Sequence, residues 1–378
     1  HMSKRITQLL GLGLVSVVSA EIKVGDSGAL AFGLNLSSVY TSNAFLNSSE
    51  EDDLIFTALP TVNYRSDEGA ISMDAFVGLA VVRYDDFGIY DSENLKSGFT
   101  AVLPDEKSGE NYTLIMKGGY NETTVARADV LEVIETDTID LSANGTYYMS
   151  EYVSVRSGVF YEDRDANTGG FVDVETVRIP FSVYYDYDKA LSVGLGYYYR
   201  DSDISGRVNP ADSQDHVFFV GVEDLISPLV QYKFQGGLQF RDFDDDVNFD
   251  DDDGLFTQLI LNWKLTDITN VEAEVENDFS TSAANQSSDT FLTSVTLNHQ
   301  LDARIFSAIG AKYEENSYEQ IGGDRSDDER AVFLNMTYKI DQDNFVVRGG
   351  VAYTNHSSNL STANYDAVVV SLQCSLLY

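Results

Sequence analysis

Apolar and polar residues alternate with a period of two along almost the whole of this 378-residue chain, and that period constrains the fold more than any other feature. Successive side chains of a strand point to opposite faces, so each alternating run has one apolar and one polar face. Leu30, Phe32, Leu34 and Leu36 alternate with Ala31, Gly33, Asn35 and Ser37, and Ile139 to Met149 repeats the pattern. Val177, Ile179, Phe181, Val183 and Tyr185 alternate with Arg178, Pro180, Ser182, Tyr184 and Asp186; Val230 to Arg241 does the same. Such runs predict about 18 strands, over 28-41, 53-64, 70-82, 94-104, 110-122, 137-149, 152-161, 174-187, 190-201, 215-224, 228-241, 254-266, 269-279, 289-301, 304-314, 328-340, 344-355 and 364-378. Most reach the roughly 9 to 11 residues that a tilted strand needs to cross a bilayer.

The links between runs alternate too. Short ones (Glu151, Asp188-Lys189, Asp267-Ile268, Asp302-Ala303) take turns with long acidic ones (Glu162 to Asp173, Asp242 to Asp253). Short turns on one side and long loops on the other are the habit of outer-membrane barrels. The expected fold is therefore all-β: a transmembrane, antiparallel, up-and-down barrel forming one domain over 21-378. An even strand count puts both termini on the periplasmic side of a bacterial outer membrane. Aromatics of outward parity also sort by height, as girdles at two interfaces would. Tyr40, Phe56, Tyr120, Tyr161, Tyr199, Phe279, Phe291, Tyr313 and Tyr353 fall near the outer ends of their strands; Tyr64, Tyr147, Tyr187, Trp263, Tyr338, Phe345 and Tyr378 fall near the inner ends.

The two ends agree with export to that membrane. Lys4 and Arg5, the apolar stretch Ile6 to Val18 and the small residues Val18-Ser19-Ala20 read as a cleavable signal peptide over residues 1-20. His1 ahead of Met2 reads as a residue left by cloning. At the other end Val368, Val370, Leu372, Cys374, Leu376 and Tyr378 alternate to an aromatic last residue. This resembles the terminal strand recognised by the bacterial barrel-assembly machinery, with Leu372, Leu376 and Tyr378 as the assembly signal. No later stretch has the roughly 18 consecutive apolar residues of a spanning helix. A composition of 23 Tyr, 21 Phe and 28 Gly against 5 Pro also favours strands. The formal charge of −37 makes nucleic acid an unsuitable partner. The single cysteine, Cys374, forms no internal disulfide and is read as an apolar side chain.

With the apolar parity facing lipid, the other parity lines the lumen, and the cations lie there. A charge on the lipid face costs about 2 to 4 kcal/mol at the midplane. The candidate pore-lining residues are Lys117, Tyr148, Arg156, Arg178, Tyr184, Tyr198, Arg200, Lys233, Arg241, Lys264, Lys312 and Arg348. Two roles are open to the cations. They brace the wall by pairing with inward Asp74, Asp140, Asp186, Glu272 and Glu274, or they form a locally basic path for an anionic or hydroxyl-rich solute, with the tyrosines stacking on sugar faces. The acidic loop Asp242 to Asp253 invites calcium, but an EF-hand loop starting at Asp244 would need Gly at Phe249 and Glu at Leu255, so a solvated rim is expected and no metal site. His216, His299 and His356 have no metal-ligand or catalytic spacing, so no enzyme activity and no cofactor are expected.

One stretch carries a resemblance. Tyr40-Thr41-Ser42-Asn43, a polar loop, Asp53-Leu54-Ile55-Phe56 leading to Leu59-Pro60, then Tyr64-Arg65-Ser66-Asp67 and Tyr84-Asp85, resemble the putative beta-barrel porin type 2 family, which is associated with exopolysaccharide production. The resemblance implies a channel that passes or exports saccharide or exopolysaccharide, with a periplasmic polysaccharide-export protein delivering polymer. Outer-membrane lipid, lipopolysaccharide and the assembly machinery would be its other partners. Two alternatives remain: a general diffusion porin for small solutes, and a structural or adhesive barrel displaying acidic loops.

Overall fold

The structure is a computed structural model that describes residues 22–25, 28–66, 71–104, 110–188, 191–206, 212–227, 229–244, 250–281, 287–319, 324–341 and 345–377. The signal-peptide segment 1-20 and Tyr378 lie outside the described residues. The strands, in chain order, are β1 (Ile22–Val24), β2 (Gly28–Thr41), β3 (Asp53–Ser66), β4 (Ser72–Tyr84), β5 (Ser92–Leu103), β6 (Tyr112–Arg127), β7 (Glu132–Tyr148), β8 (Val153–Ala166), β9 (Asp173–Asp186), β10 (Leu191–Ser205), β11 (Ser213–Ser227), β12 (Val230–Phe243), β13 (Asp252–Thr266), β14 (Thr269–Thr281), β15 (Ser287–Asp302), β16 (Ile305–Glu319), β17 (Arg325–Asp341), β18 (Phe345–Ser358) and β19 (Tyr365–Leu377).

From β2 to β19 each strand pairs antiparallel with the next, and β19 returns to β2 from Val369↔Thr41 to Leu377↔Gly33. This is a closed antiparallel barrel of 18 strands. Closure leaves no sheet edge to aggregate and no backbone group facing lipid without a partner. The extra strand β1 pairs Ile22, Lys23 and Val24 with Leu30, Ala29 and Gly28, the stretch of β2 beyond the end of β19. At the closing seam Tyr40 and Leu54 are buried together, with Phe56, Val370 and Leu372 against them. No helix of the described residues is long and apolar enough to cross a membrane.

Fourteen to seventeen residues is a common strand length here, longer than the alternation predicts, and the added residues fall at the acidic ends. β6 runs on to Arg127, β16 runs on to Glu319 and β17 begins at Arg325. Above the lipid both faces of a strand meet water, so the period-two pattern fades there while the ladder continues. Within the band large apolar side chains recur at the outward positions. Phe181, Leu195, Phe218, Leu255, Ile309 and Val332 all stand exposed on the outside of the isolated chain. An apolar surface that wraps a whole barrel is far more than a soluble monomer exposes.

Candidate functional site: the lumen and its narrowed mouth

Two side chains on strands that are not neighbours can meet only inside the ring, so such contacts identify the inner face. Arg156 of β8 donates to Glu223 of β11 at 2.7 Å. Arg200 of β10 donates to Asp278 of β14 at 3.1 Å. Gln235 of β12 donates from Nε2 to the Tyr184 hydroxyl of β9 at 3.2 Å. Residues in register share a face, which extends the assignment around the barrel. Arg200 is in register with Arg178 and Asp215, Arg178 with Phe160, Phe160 with Ser142 and Ser142 with Lys117. Asp215 is in register with Arg241, and Tyr184 with Ser154, which is in register with Tyr148. Glu223 leads through Lys233, Ile260, Glu274 and Ser294 to Lys312.

The structure thus puts Lys117, Tyr148, Arg156, Arg178, Tyr184, Tyr198, Arg200, Lys233, Arg241 and Lys312 on the inner face. Lys264 lies at the β13–β14 turn, exposed, 3.5 Å from Asp267. Arg348, also exposed, is 3.3 Å from the Ser375 hydroxyl. Not all of these present themselves to water. Tyr184 and Arg241 are each 1% exposed, and Tyr198 is buried. Tyr184 lies flat on the wall, where Gly194 and Gly221 leave room for its ring; a Cβ at Gly221 would overlap the Tyr184 hydroxyl. Phe219 covers Gly196 in the same way.

Most inner cations meet a carboxylate. Arg65 pairs with Asp74 at 3.1 Å, and Lys312 sits 2.6 Å from Glu314 and 3.3 Å from Glu329. Arg156 pairs with Glu223 while its guanidinium lies 4.1 Å over the Tyr184 ring. Asp215 accepts from Arg241 Nε at 2.6 Å and Nη2 at 2.7 Å, and from Arg200 Nε at 2.5 Å. Arg200 in turn holds Asp278, which also accepts from the Tyr198 hydroxyl at 2.9 Å. Two guanidinium groups and two carboxylates close a neutral network, as burial demands, because an unpaired charge there would cost several kcal/mol. The partners Glu223, Asp215 and Asp278 were absent from the sequence expectation. Two of these pairs join strands that are not adjacent, a relation no local pattern reveals.

That network belongs to a narrowing of the outer mouth. The upper part of β14 leaves β13 after Asn277 and reaches strands well around the ring. Its Ser280 carbonyl accepts from Arg241 at 3.0 Å and its Thr281 carbonyl from Arg164 of β8. Phe279, expected in the outer girdle, is instead 2% exposed, with the Arg241 guanidinium 4.7 Å from its ring centre. The displacement of this strand end carries the ring inward despite its outward parity. A second bridge comes from the β6–β7 turn. Arg325 of β17 donates to the Ala128 carbonyl at 2.9 Å and the Asp129 carbonyl at 2.6 Å. Arg325 is fixed from behind by Asp327 at 2.6 Å and by the Tyr318 ring. At the outer ends of β9, β10 and β12, Val172, Val174, Ile204 and Phe243 form a small buried cluster.

Below the mouth, a cavity of about 980 Å³ opens along β2 to β10. Lys117, Asp140, Phe76, Phe160, Glu162 and Arg178 are among its lining residues. The Arg178 guanidinium lies 4.4 Å from the Phe160 ring centre.

On the lipid side, the upper tyrosines share a pattern that the sequence reading passed over. Tyr120, Tyr161, Tyr199 and Tyr313 each donate their hydroxyl to the carboxylate two residues on, Glu122, Asp163, Asp201 and Glu315, at 2.8, 3.3, 3.1 and 3.1 Å. Residues two apart share a face, so each ring ends the apolar band and each carboxylate starts the polar rim. The spacing Tyr-x-Asp/Glu was there to be read. In the rim, burial and the nearby Asp203, Asp244 and Asp201 carboxylates push the Asp212 carboxyl up from its ordinary range. His216 and His299 are engaged at 2.8 Å with the Tyr197 hydroxyl and the Thr269 hydroxyl, and His356 stacks on Tyr365. Of the terminal signal, Leu372 packs at the closing seam and Leu376 is in register with Leu34 and Phe345.

Comparison with solved structures finds barrels of the same fold, among them bacterial outer-membrane proteins. OpdQ of Pseudomonas aeruginosa superposes with a TM-score of 0.52 at 13% identity, over 94% of this chain and 99% of that one. OccK2 (OpdF) of the same organism gives 0.52 at 8% identity, over 93% and 97%. OpdK, solved with vanillate, gives 0.51 at 10%, over 92% and 99%. At these identities the likeness is one of fold. No curated protein sequence matches the chain. The family model described as putative beta-barrel porin 2 matches residues 195–377, from within β10 to the end of β19, and so lies apart from the segment around Tyr40 to Asp85 that carried the resemblance. The closed barrel and the match of residues 195–377 to the putative beta-barrel porin 2 model together make this chain an outer-membrane β-barrel porin.

Proposed function

We propose that the barrel is a diffusion channel for small hydrophilic solutes, with its short turns and both termini on the periplasmic side. The observation that carries this reading is the combination of a roomy cavity of about 980 Å³, whose lining includes the charged Lys117, Asp140, Glu162 and Arg178, with an outer mouth bridged from β17 to β6–β7 and from β14 to β8 and β12. Water and small solutes fit beneath such bridges, whereas a thick polymer must displace them. Export of saccharide or exopolysaccharide has less support. Tyr184 and Tyr198, which were to stack on sugar, are packed into the wall.

Single-channel recording of the purified barrel in planar bilayers tests the proposal, followed by liposome swelling in solutes of graded size. Stable conductance with swelling rates that fall steeply from monosaccharides to longer oligosaccharides is expected. Unhindered entry of long oligosaccharides, with saturable block of the current by them, would move the saccharide reading ahead. A correctly folded barrel with no conductance at all would favour the structural or adhesive role.

A further inference from the structure

We infer that the cavity below the mouth is a subsite for zwitterionic solutes that carry an ammonium group, a carboxylate and an apolar body, the chemistry of a free amino acid with an aliphatic or aromatic side chain. The inference rests on the channel reading above and names the solute class of that same lumen. Four charged side chains line this one cavity without an ion pair to any described residue: Lys117 on β6, Asp140 on β7, Glu162 on β8 and Arg178 on β9. They differ in this from Arg65, Arg156, Arg200, Arg241 and Lys312, each of which has a carboxylate within 4.0 Å.

Their order around the wall is what selects the solute. Asp140 and Glu162 are in direct register, two like charges side by side, flanked by a cation on the strand to either side. Like charges opposite one another on neighbouring strands repel, so a cationic group placed between them is favoured. Lys117 and Arg178 offer charge-assisted donors to a carboxylate on either flank. A simple anion meets the two carboxylates, and a simple cation meets the Lys and Arg. Only a solute bearing both charges is favoured by all four. The rest of the lining suits an apolar body: Phe76 lies over Gly98, and Phe160 stands under the Arg178 guanidinium, so two rings and a thin glycine-bearing wall adjoin the charged row.

The test uses the whole barrel in planar bilayers and reads the concentration at which a solute half-blocks the potassium chloride current. The probes are phenylalanine, its amine-only analogue phenethylamine, its acid-only analogue 3-phenylpropionate, and the neutral 3-phenylpropanol. Phenylalanine is expected to block at a concentration about tenfold or more below any of the others, the ratio that one added charge-assisted bond supplies. Asp140→Asn with Glu162→Gln should bring phenylalanine to the level of 3-phenylpropionate. Lys117→Gln with Arg178→Gln should bring it to the level of phenethylamine. Equal block by phenylalanine and a singly charged analogue, or a preference that both double variants retain, overturns the subsite. Heat-modifiable migration of each variant establishes that it has folded. Absence of any potassium chloride current through the folded wild-type barrel would instead overturn the channel reading, and the two failures are thereby told apart.

Discussion

Replacing Asp215 with Asn should destabilise the barrel far more than the same change at Asp74, although both carboxylates pair with an arginine on the inner face. Asp215 is fully buried, and its partners Arg241 and Arg200 have side chains only 1% and 12% exposed. The amide keeps the shape and one acceptor but removes the charge that two guanidinium groups share. Removing one partner of a buried ion pair costs about 3 to 5 kcal/mol. Asp278 still serves Arg200, and the Ser280 carbonyl still serves Arg241, which puts the expectation near the lower end, about 3 kcal/mol. The Arg65–Asp74 side chains are 65% and 62% exposed, so Asp74→Asn should cost under about 1 kcal/mol. Urea unfolding from lipid vesicles measures both. Trp263, the single tryptophan, has outward parity near the inner end of β13 and reports exit from the membrane. A difference of about 2 kcal/mol separates the variants by roughly thirtyfold in the unfolding equilibrium. Equal costs would refute the buried neutral network.

Three other changes probe different parts of the barrel. Arg325→Gln removes two charge-assisted bonds to the β6–β7 turn, each worth about 1.5 to 3 kcal/mol; conductance should rise and become noisier, while Arg330→Gln, on the outer face over Tyr313, should leave it unchanged. Changing Tyr120, Tyr199 and Tyr313 together to Phe should lower the urea midpoint without altering the slope, since only the hydroxyl-to-carboxylate bonds at the interface are lost; an unchanged midpoint would show that those bonds add nothing. Tyr378→Ser should reduce the yield of heat-modifiable barrel in outer membranes, and a normal yield would remove the last residue from the assembly signal.

The strands were legible because lipid enforces the period. A Phe181 or Leu238 must face out and an Arg178 or Gln239 must face in, so alternation and topology are one signal. Above the bilayer that enforcement stops, which is why the ends of β6, β16 and β17 were missed while the membrane-level spans were found. Parity alone also placed Phe279 in the girdle, since a sequence does not show where a strand parts from its neighbour. The inner face of Arg156, Arg200 and Arg241 was readable, but not which carboxylates they meet. Glu223 and Asp278 reach their partners across the ring, and that distance exists only once the barrel has closed.

Whether the mouth is bridged is measured directly by a spin-label distance across it. With Cys374 replaced by Ser, labels at Val130 in the β6–β7 turn and at Ser326 beside Arg325 can be placed in the barrel in lipid and their separation read by pulsed dipolar spectroscopy. A short, narrow distribution is expected, because the turn rests on β17 through the Arg325 bonds to Ala128 and Asp129. A broad distribution centred near the full width of the barrel would mean an open mouth, and would contradict the account.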